Sequence, residues 1–201
     1  EAALSRFSKK CGYKGYRELI FSYEKDLEYE VPKEGEEADI SNFTKKIKGS
    51  YSTILQDGFG LLDERQIKKV AGRMESARKI YIFGTGSPGL AAKEFQLRFM
   101  RIGLPMEAVT DNHLMQMSAA LADEETLVFA ISLSGKTKEV NNSVQIAKKQ
   151  GASVVYITAN EKTNVSDYCD EILRVASSRN AEAGTLISPQ FSLLIMLDVL
   201  Y

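Results

Sequence analysis

The residues with the clearest chemistry in this 201-residue chain form the run Ile131-Ser132-Leu133-Ser134-Gly135-Lys136-Thr137. Three hydroxyls surround one glycine between an apolar stretch and a helical one. Hydroxyls and free backbone N–H groups together can surround a phosphate with donors. Lys136 either adds a positive charge to such a site or points to water. Gly135-Lys136-Thr137 also resembles the end of a nucleoside-triphosphate loop. The first glycine of that loop would fall at position 130, which is Ala130, so a nucleoside triphosphatase is set aside. Capping of the next helix by Ser134 or Thr137 explains the same residues without a ligand, and the spacing leaves both readings open.

A second glycine run, Gly84-Thr85-Gly86-Ser87-Pro88-Gly89, follows another apolar stretch and opens another helix. It fits the GxGxxG pattern of dinucleotide sites, and Asp111 follows at the distance where an acidic residue would meet a ribose. The simpler shared physics is that glycines let backbone approach a ligand and a helix N-terminus favours negative charge. Any phosphorylated ligand benefits from both.

The elements that must position these runs alternate. Lys79-Ile80-Tyr81-Ile82-Phe83, Met106-Glu107-Ala108-Val109, Leu127-Val128-Phe129-Ala130-Ile131, Val154-Val155-Tyr156-Ile157 and Glu171-Ile172-Leu173-Arg174-Val175 read as strands separated by helices. That alternation means βαβ units and a parallel sheet covered on both faces. Ligands bind such sheets at the carboxyl ends of the strands, where both glycine runs fall. An earlier helix from about residue 42 carries Phe43, Ile47, Tyr51 and Leu55 at i+4 steps and is expected to break at Asp57-Gly58. Asp63 with Gln66 resembles a capping box. The apolar run after Pro189, with Phe191, Leu194, Ile195 and Leu197, is either core or an interface between subunits.

Charge is uneven along the chain. Residues 1–17 carry a balance of +4 and residues 18–39 one of −7, although the whole chain sums to −1. A basic head before an acidic connector fits a polyanion-facing module, and two solvated helix faces fit equally. In the head, Leu4, Phe7 and Cys11 make one apolar stripe, leaving Ser5, Arg6, Lys9 and Lys10 on other faces. A second helix with Tyr16, Leu19, Ile20, Tyr23 and Leu27 follows, then a Glu-rich linker containing Pro32 and Gly35. Both termini fall inside helical patterns and are expected to be cut from something longer. Two cysteines, Cys11 and Cys169, without any CxxC or Cys/His cluster, argue against a disulfide framework or zinc site. The apolar runs are strand-sized, so no span crosses a bilayer and a cytoplasmic setting is expected.

From about residue 79 the chain resembles a SIS (sugar isomerase) domain, through Gly84-Thr85-Gly86-Ser87 and Ser132-Leu133-Ser134-Gly135-Lys136-Thr137. Residues before it resemble the helix-turn-helix of the RpiR regulator family, through Ala3-Leu4-Ser5-Arg6-Phe7-Ser8-Lys9-Lys10 and Gly12-Tyr13-Lys14-Gly15-Tyr16-Arg17-Glu18-Leu19. The resemblance implies an α/β fold: a SIS-type doubly wound parallel five-stranded sheet flanked by helices, preceded by a partial all-α helix-turn-helix segment. It divides the chain into a DNA-binding segment at 1–30, an acidic linker at 31–41 and a phosphosugar-binding domain at 42–201. Ser87, Ser132, Ser134 and Thr137 are expected to hold a sugar phosphate, with Gly86 and Gly135 backbone close by and Thr85 and Lys136 at hand. Ser5 and Arg6 are expected to face DNA bases while Lys9 and Lys14 meet phosphates. One departure is that the helices preceding the recognition helix lie outside these residues, so this stretch alone is not expected to bind DNA in the family's manner.

His113 is expected either to meet a sugar hydroxyl, to help dock a second subunit, or to pack at a helix start; Glu182 is a candidate for sugar hydroxyls. The function that follows is a transcriptional regulator, without cofactor or metal, that senses a phosphosugar and couples it to operator DNA as a homodimer or higher homo-oligomer. An isomerase or lyase is the enzyme alternative, but it needs a positioned general base, and only His113 and Glu182 offer one. A dinucleotide-sensing regulator keeps Asp111 but leaves the second hydroxyl run unexplained.

Overall fold

The computed structural model describes residues 2–10, 13–16, 18–19, 36–178 and 186–201. The chain forms two compact units, Glu1–Phe43 and Thr44–Tyr201.

In the smaller unit, helix α1 (Ala2–Lys10) carries Lys9 and Lys10 in its last turn, where positive charge suits the carbonyl end of the helix dipole. Ser8 is buried, and its hydroxyl donates to the Leu4 carbonyl at 2.7 Å. Leu4 and Phe7, two members of the expected apolar stripe, remain exposed, and the third, Cys11, lies outside the described residues. The expected second helix also lies largely outside them.

Helix α2 (Glu36–Gly60) starts inside the stretch read as a linker. Pro32 and Gly35 precede it in the sequence. It also runs through Asp57-Gly58 instead of stopping there. A Cβ on Gly58 would sit 3.4 Å from Ile195 Cδ1, so this glycine allows a close helix approach and does not act as a breaker.

Helix α3 (Glu64–Ser76) starts at Asp63, whose carboxylate accepts from the Arg65 and Gln66 amides at 2.8 and 3.4 Å. The capping box stays half made. Gln66 does not reach back to the cap but donates to the Glu171 carboxylate at 3.1 Å, tying α3 to the sheet.

Strands β1 (Lys79–Phe83), β2 (Met106–Val109), β3 (Thr126–Ile131), β4 (Ser153–Thr158) and β5 (Glu171–Arg174) form one sheet in the order β2-β1-β3-β4-β5, with every neighbouring pair parallel. Helices α4 (Ser87–Met100), α5 (Asn112–Ala120), α6 (Lys138–Lys149) and α7 (Gln190–Leu200) complete the larger unit. Successive strand side chains point to opposite faces, so the core is split in two. Ile80, Ile82 and Phe129 pack with Phe95 and Phe99 of α4 and Leu193 and Leu197 of α7. Tyr81, Phe83, Val128 and Tyr156 pack with Met115 of α5 and Val140 and Val144 of α6 on the other face. Of the two readings for the run after Pro189, the core one describes α7, which buries six of its residues.

The direction in which successive strands are added to the sheet reverses between β1 and β3, although the two strands themselves run parallel. The loops after these two neighbours leave the sheet toward opposite sides, opening a crevice at their carboxyl ends.

Glu171 opens β5 nearly buried, ion-paired with Lys69 and accepting from Gln66. Burial works to raise its pKa, but the hydrogen bonds from Lys69 and Gln66 outweigh it and hold the carboxyl below its ordinary value. Folding therefore favours the charged form: this stability is present above the unfolded pKa and is lost as pH falls through the lowered folded value. Glu171→Gln is expected to cost about 1 kcal/mol in urea unfolding at pH 7. The gap to the parent chain should narrow progressively as the pH falls below the ordinary carboxylate range of about 4; a gap that does not narrow on acidification would refute this account.

Candidate functional site

The turn after β1 is built by contact between backbones. A Cβ on Gly89 would lie 2.9 Å from the Gly84 carbonyl oxygen, and one on Gly84 would meet the Pro88 carbonyl at 3.1 Å. Glycine at both positions lets the turn close onto the first turn of α4. Gly86 follows at φ 62° as the N-cap of α4, and no side chain caps that helix. Its first N–H groups are therefore open to a ligand. Ser87 is the first residue of the helix.

The turn after β3 is held more elaborately. Gly135 sits at φ 65°, a left-handed conformation that favours glycine, and a Cβ there would lie 2.5 Å from Thr163 Oγ1. Its carbonyl accepts from Asn141 Nδ2 at 3.2 Å and Thr163 Oγ1 at 3.4 Å. Asn141 in turn accepts from the hydroxyl of Tyr156, whose ring is fully buried in the sheet. Burial pushes the Tyr156 phenol pKa up, which keeps this group a neutral donor. Ser132, also buried, lies 2.8 Å from Thr137 Oγ1 and shares a hydrogen bond with it. Ser134 Oγ accepts from the Lys136 amide at 3.2 Å, while its carbonyl accepts from Asn160 Nδ2 at 2.8 Å. Thr137 is the N-cap of α6 but makes no side-chain capping bond, so the capping explanation does not use its hydroxyl.

Both turns open on one cavity of about 610 Å³. Thr85 and Pro88 line it from the first turn, and Leu133, Ser134, Lys136 and Thr137 from the second. The rest of its wall comes from Ala159 and Asn160 after β4, Ala176, Ser177 and Ser178 after β5, and Pro189 and Ser192 at the start of α7. The polar groups on this wall are hydroxyls, one amide and one ammonium. Among the described lining residues Lys136 alone carries charge.

Other expected site residues stand differently. Gly86, Ser87, Ser132 and Gly135 belong to the two turns but are not among the described residues lining the cavity. Ser132 acts from below, through Thr137. His113 is exposed near the start of α5 and does not line the cavity either. Glu182 lies outside the described residues, and so do the side chains of Ser5 and Arg6. Lys14 is exposed, and its backbone N–H donates to the Glu18 carboxylate. Asp111, the residue a dinucleotide reading needs, caps α5 by accepting from the Leu114 amide at 3.0 Å. No described group of His, Cys, Asp and Glu is arranged to hold a metal.

Asn160, Ser177 and Ser178 were missed from sequence although each follows a strand. The strand-end rule that singled out the first two turns applies to β4 and β5 as well. Ser192 gave no such signal, since it stands in an apolar helical run and reaches the cavity only because α7 begins there.

Residues 73–200 match the SIS domain family, so the fold and the site define a SIS domain. Over its full length the chain is 30% identical to the HTH-type transcriptional regulator YbbH of Bacillus subtilis, covering 73% of that protein. It is 28% identical to the HTH-type transcriptional regulator RpiR of Escherichia coli K12, covering 69% of it. The solved structure of Vibrio vulnificus NanR complexed with ManNAc-6P matches with a TM-score of 0.70 and 28% identity, over 99% of this chain and 72% of that one. The chain belongs to the RpiR family of HTH-type transcriptional regulators that carry a SIS domain, and it is a regulator, not an enzyme. A Listeria monocytogenes protein proposed to be a sugar-phosphate isomerase, at 19% identity and a TM-score of 0.66 over 84% of this chain and 91% of that one, shares the fold alone.

The positive-φ glycines of the two turns differ in what an added Cβ would meet. Gly86, at φ 62° and ψ −132°, holds a conformation that essentially only glycine adopts, and Gly86→Ala meets nothing within 4 Å, so its cost of about 1–3 kcal/mol is backbone strain alone. Gly135→Ala must also displace Thr163 and should cost about 2 kcal/mol or more in denaturant unfolding. A cost below about 1 kcal/mol for Gly135→Ala would mean that the Thr163 contact yields freely.

Proposed function

We propose that the larger unit binds a phosphorylated sugar in the cavity at the β1 and β3 carboxyl ends, and that binding changes how the helix-turn-helix holds DNA. One observation carries this reading: two turns at the switch point of the sheet supply neutral donors to a single cavity. Ser134 and Thr137 hydroxyls, with open amides at the starts of α4 and α6, take the phosphate. Lys136 supplies a counter-charge, and Ser132 fixes the direction of the Thr137 hydroxyl. Ser87 joins from the first turn of α4, with Gly86 and Gly135 shaping the two turns. The sugar then faces Asn160, Ser177, Ser178 and Ser192. NanR, 28% identical, was solved with ManNAc-6P, which supports the ligand class. An isomerase is disfavoured because the relatives that match over the whole chain are HTH-type transcriptional regulators. Asp111, already used as a cap, weakens the dinucleotide alternative.

In the smaller unit, Ser5 and Arg6 read base edges while Lys9 and Lys14 hold DNA phosphates, as a short basic helix in a major groove would. The regulator works in the cytoplasm as a dimer, because a helix-turn-helix reads paired half-sites. No helix among the described residues is long and apolar enough to cross a membrane.

Thermal unfolding with phosphosugars, the matching free sugars and NAD tests the cavity. A ligand at a hundred times its Kd stabilises by about 2.7 kcal/mol, which raises Tm by about 5–10 °C in a chain of this size. A phosphosugar should give that shift, and Ser134→Ala should reduce it while leaving the weak response to free sugar unchanged. Stabilisation by NAD alone would overturn the reading. For the DNA role, the full-length regulator should place two chains on each selected operator duplex in band-shift titrations, and Arg6→Ala should lose about 1–3 kcal/mol of operator preference. Unchanged discrimination in that variant, or one chain per duplex, would count against it.

A further inference from the structure

A second cavity of about 300 Å³ adjoins the first, and the two share Ala159, Ala176 and Ser177 as common wall. Its other side is formed by Gln56, Asp57 and Gly60 at the end of α2, with Glu161 after β4 and Arg174 at the end of β5. The chemistry of the two chambers differs. The first presents hydroxyls, an amide and Lys136, which suit an anion. The second presents two carboxylates, a carboxamide and a guanidinium. Carboxylates accept hydrogen bonds from hydroxyls and ammonium groups, whereas a guanidinium donates to hydroxyl or carbonyl oxygens. Such a mixture repels a phosphate at Asp57 and Glu161 and favours a neutral or cationic group carrying both donors and acceptors.

The chambers are also joined by bonds. Arg174 donates to the Asn160 carbonyl, and the Asn160 side chain donates to the Ser134 carbonyl at 2.8 Å. A guanidinium in the second chamber is thus two hydrogen bonds away from the turn that faces the phosphate in the first. Only one of its donors is engaged in that link, and its fork has others to offer a ligand.

We infer that the effector spans both chambers, with its phosphate against the Ser134–Thr137 turn and its far end, bearing hydroxyl, amino or acylamino groups, bound by Asp57, Gln56, Glu161 and Arg174. This rests on the phosphosugar reading of the first cavity and goes beyond it in two ways. It makes the second chamber the determinant of which phosphosugar is recognised: six-carbon or larger sugars reach it, and three-carbon ones do not. It also brings the ligand against the last turn of α2. That helix runs from Glu36 to Gly60, and its first residues belong to the smaller unit. The part of the sugar that differs between candidate effectors therefore touches the element that carries the chain from one unit into the other. A coupling of effector to DNA needs differential contact of this kind.

Calorimetric titration of the 201-residue chain with inorganic phosphate, dihydroxyacetone phosphate, glucose 6-phosphate, glucosamine 6-phosphate and N-acetylmannosamine 6-phosphate tests the inference. At least one six-carbon compound should bind more than about tenfold tighter than inorganic phosphate, and the three-carbon compound should not. Asp57→Ala and Glu161→Gln should each cut that preference by about three- to tenfold while leaving inorganic phosphate affinity and Tm unchanged. Both positions are exposed; should Asp57→Ala lower Tm, Glu161→Gln decides alone. The inference is overturned if no six-carbon phosphosugar is preferred to inorganic phosphate, or if the preference survives in a folded variant. Ser134→Ala separates the two levels. If it leaves inorganic phosphate affinity intact, the first-chamber reading fails; if it weakens phosphate but the second-chamber variants change nothing, only the present inference fails.

Discussion

Strand β3 has all six of its residues buried, and that constraint organises the molecule. A strand in the middle of a parallel sheet must be apolar on both faces, because helices from the crossover connections cover both. Polar chemistry is therefore pushed off the strand and onto the residues just past its end. Apolar side chains fill the sheet as far as Ile131, and hydroxyls begin at Ser132. The same change occurs after Phe83, Ile157 and Val175. The cavity exists because four strand ends change from apolar to small and polar at one level, while the reversal in the order of strand addition between β1 and β3 keeps helices from closing over it.

How much of this could be read from sequence follows from the range of the forces involved. The five strands stood out because a two-sided buried strand needs an unbroken apolar run. The two glycine turns stood out because glycine and hydroxyl residues at a strand-to-helix junction have few other uses. What escaped detection depended on long-range partners. Gly58 resembles a stop signal unless Ile195 is known to press against it. Gln66 resembles half of a capping box until Glu171 is seen to take its amide. Asp111 fits a ribose contact by spacing, yet a helix start three residues before Leu114 uses the same carboxylate locally. Ser192 carried no mark at all, since a serine in an apolar helix acquires meaning only from the cavity its helix approaches. Composition marks the whole acidic stretch as linker, and composition alone cannot place the boundary where the helix begins at Glu36.

The turn after β3 shows how a soft segment is made rigid from beneath. Its carbonyls are anchored from outside the turn: Leu133 accepts from Thr158, Ser134 from Asn160, and Gly135 from Asn141 and Thr163. Fixing the carbonyls fixes the direction of the intervening amides, leaving the hydroxyls of Ser134 and Thr137 at the wall of the cavity. Preorganisation of this kind lowers the cost of ordering donors when a ligand arrives. It also explains why so many of the polar residues around the site, such as Tyr156 and Ser132, never reach its surface.

Because the cavity wall relies on hydroxyls and amides with a single ammonium, its hold on an anion owes little to long-range attraction. Interactions at hydrogen-bond distance are scarcely weakened by dissolved ions, whose screening acts over about 8–10 Å near physiological ionic strength. A basic helix gripping a nucleic acid behaves in the opposite way, losing affinity steeply as counterions accumulate. On the proposed reading, rising salt would then loosen the chain from DNA while leaving its hold on a phosphorylated ligand almost unchanged, so that the two occupancies answer to different variables.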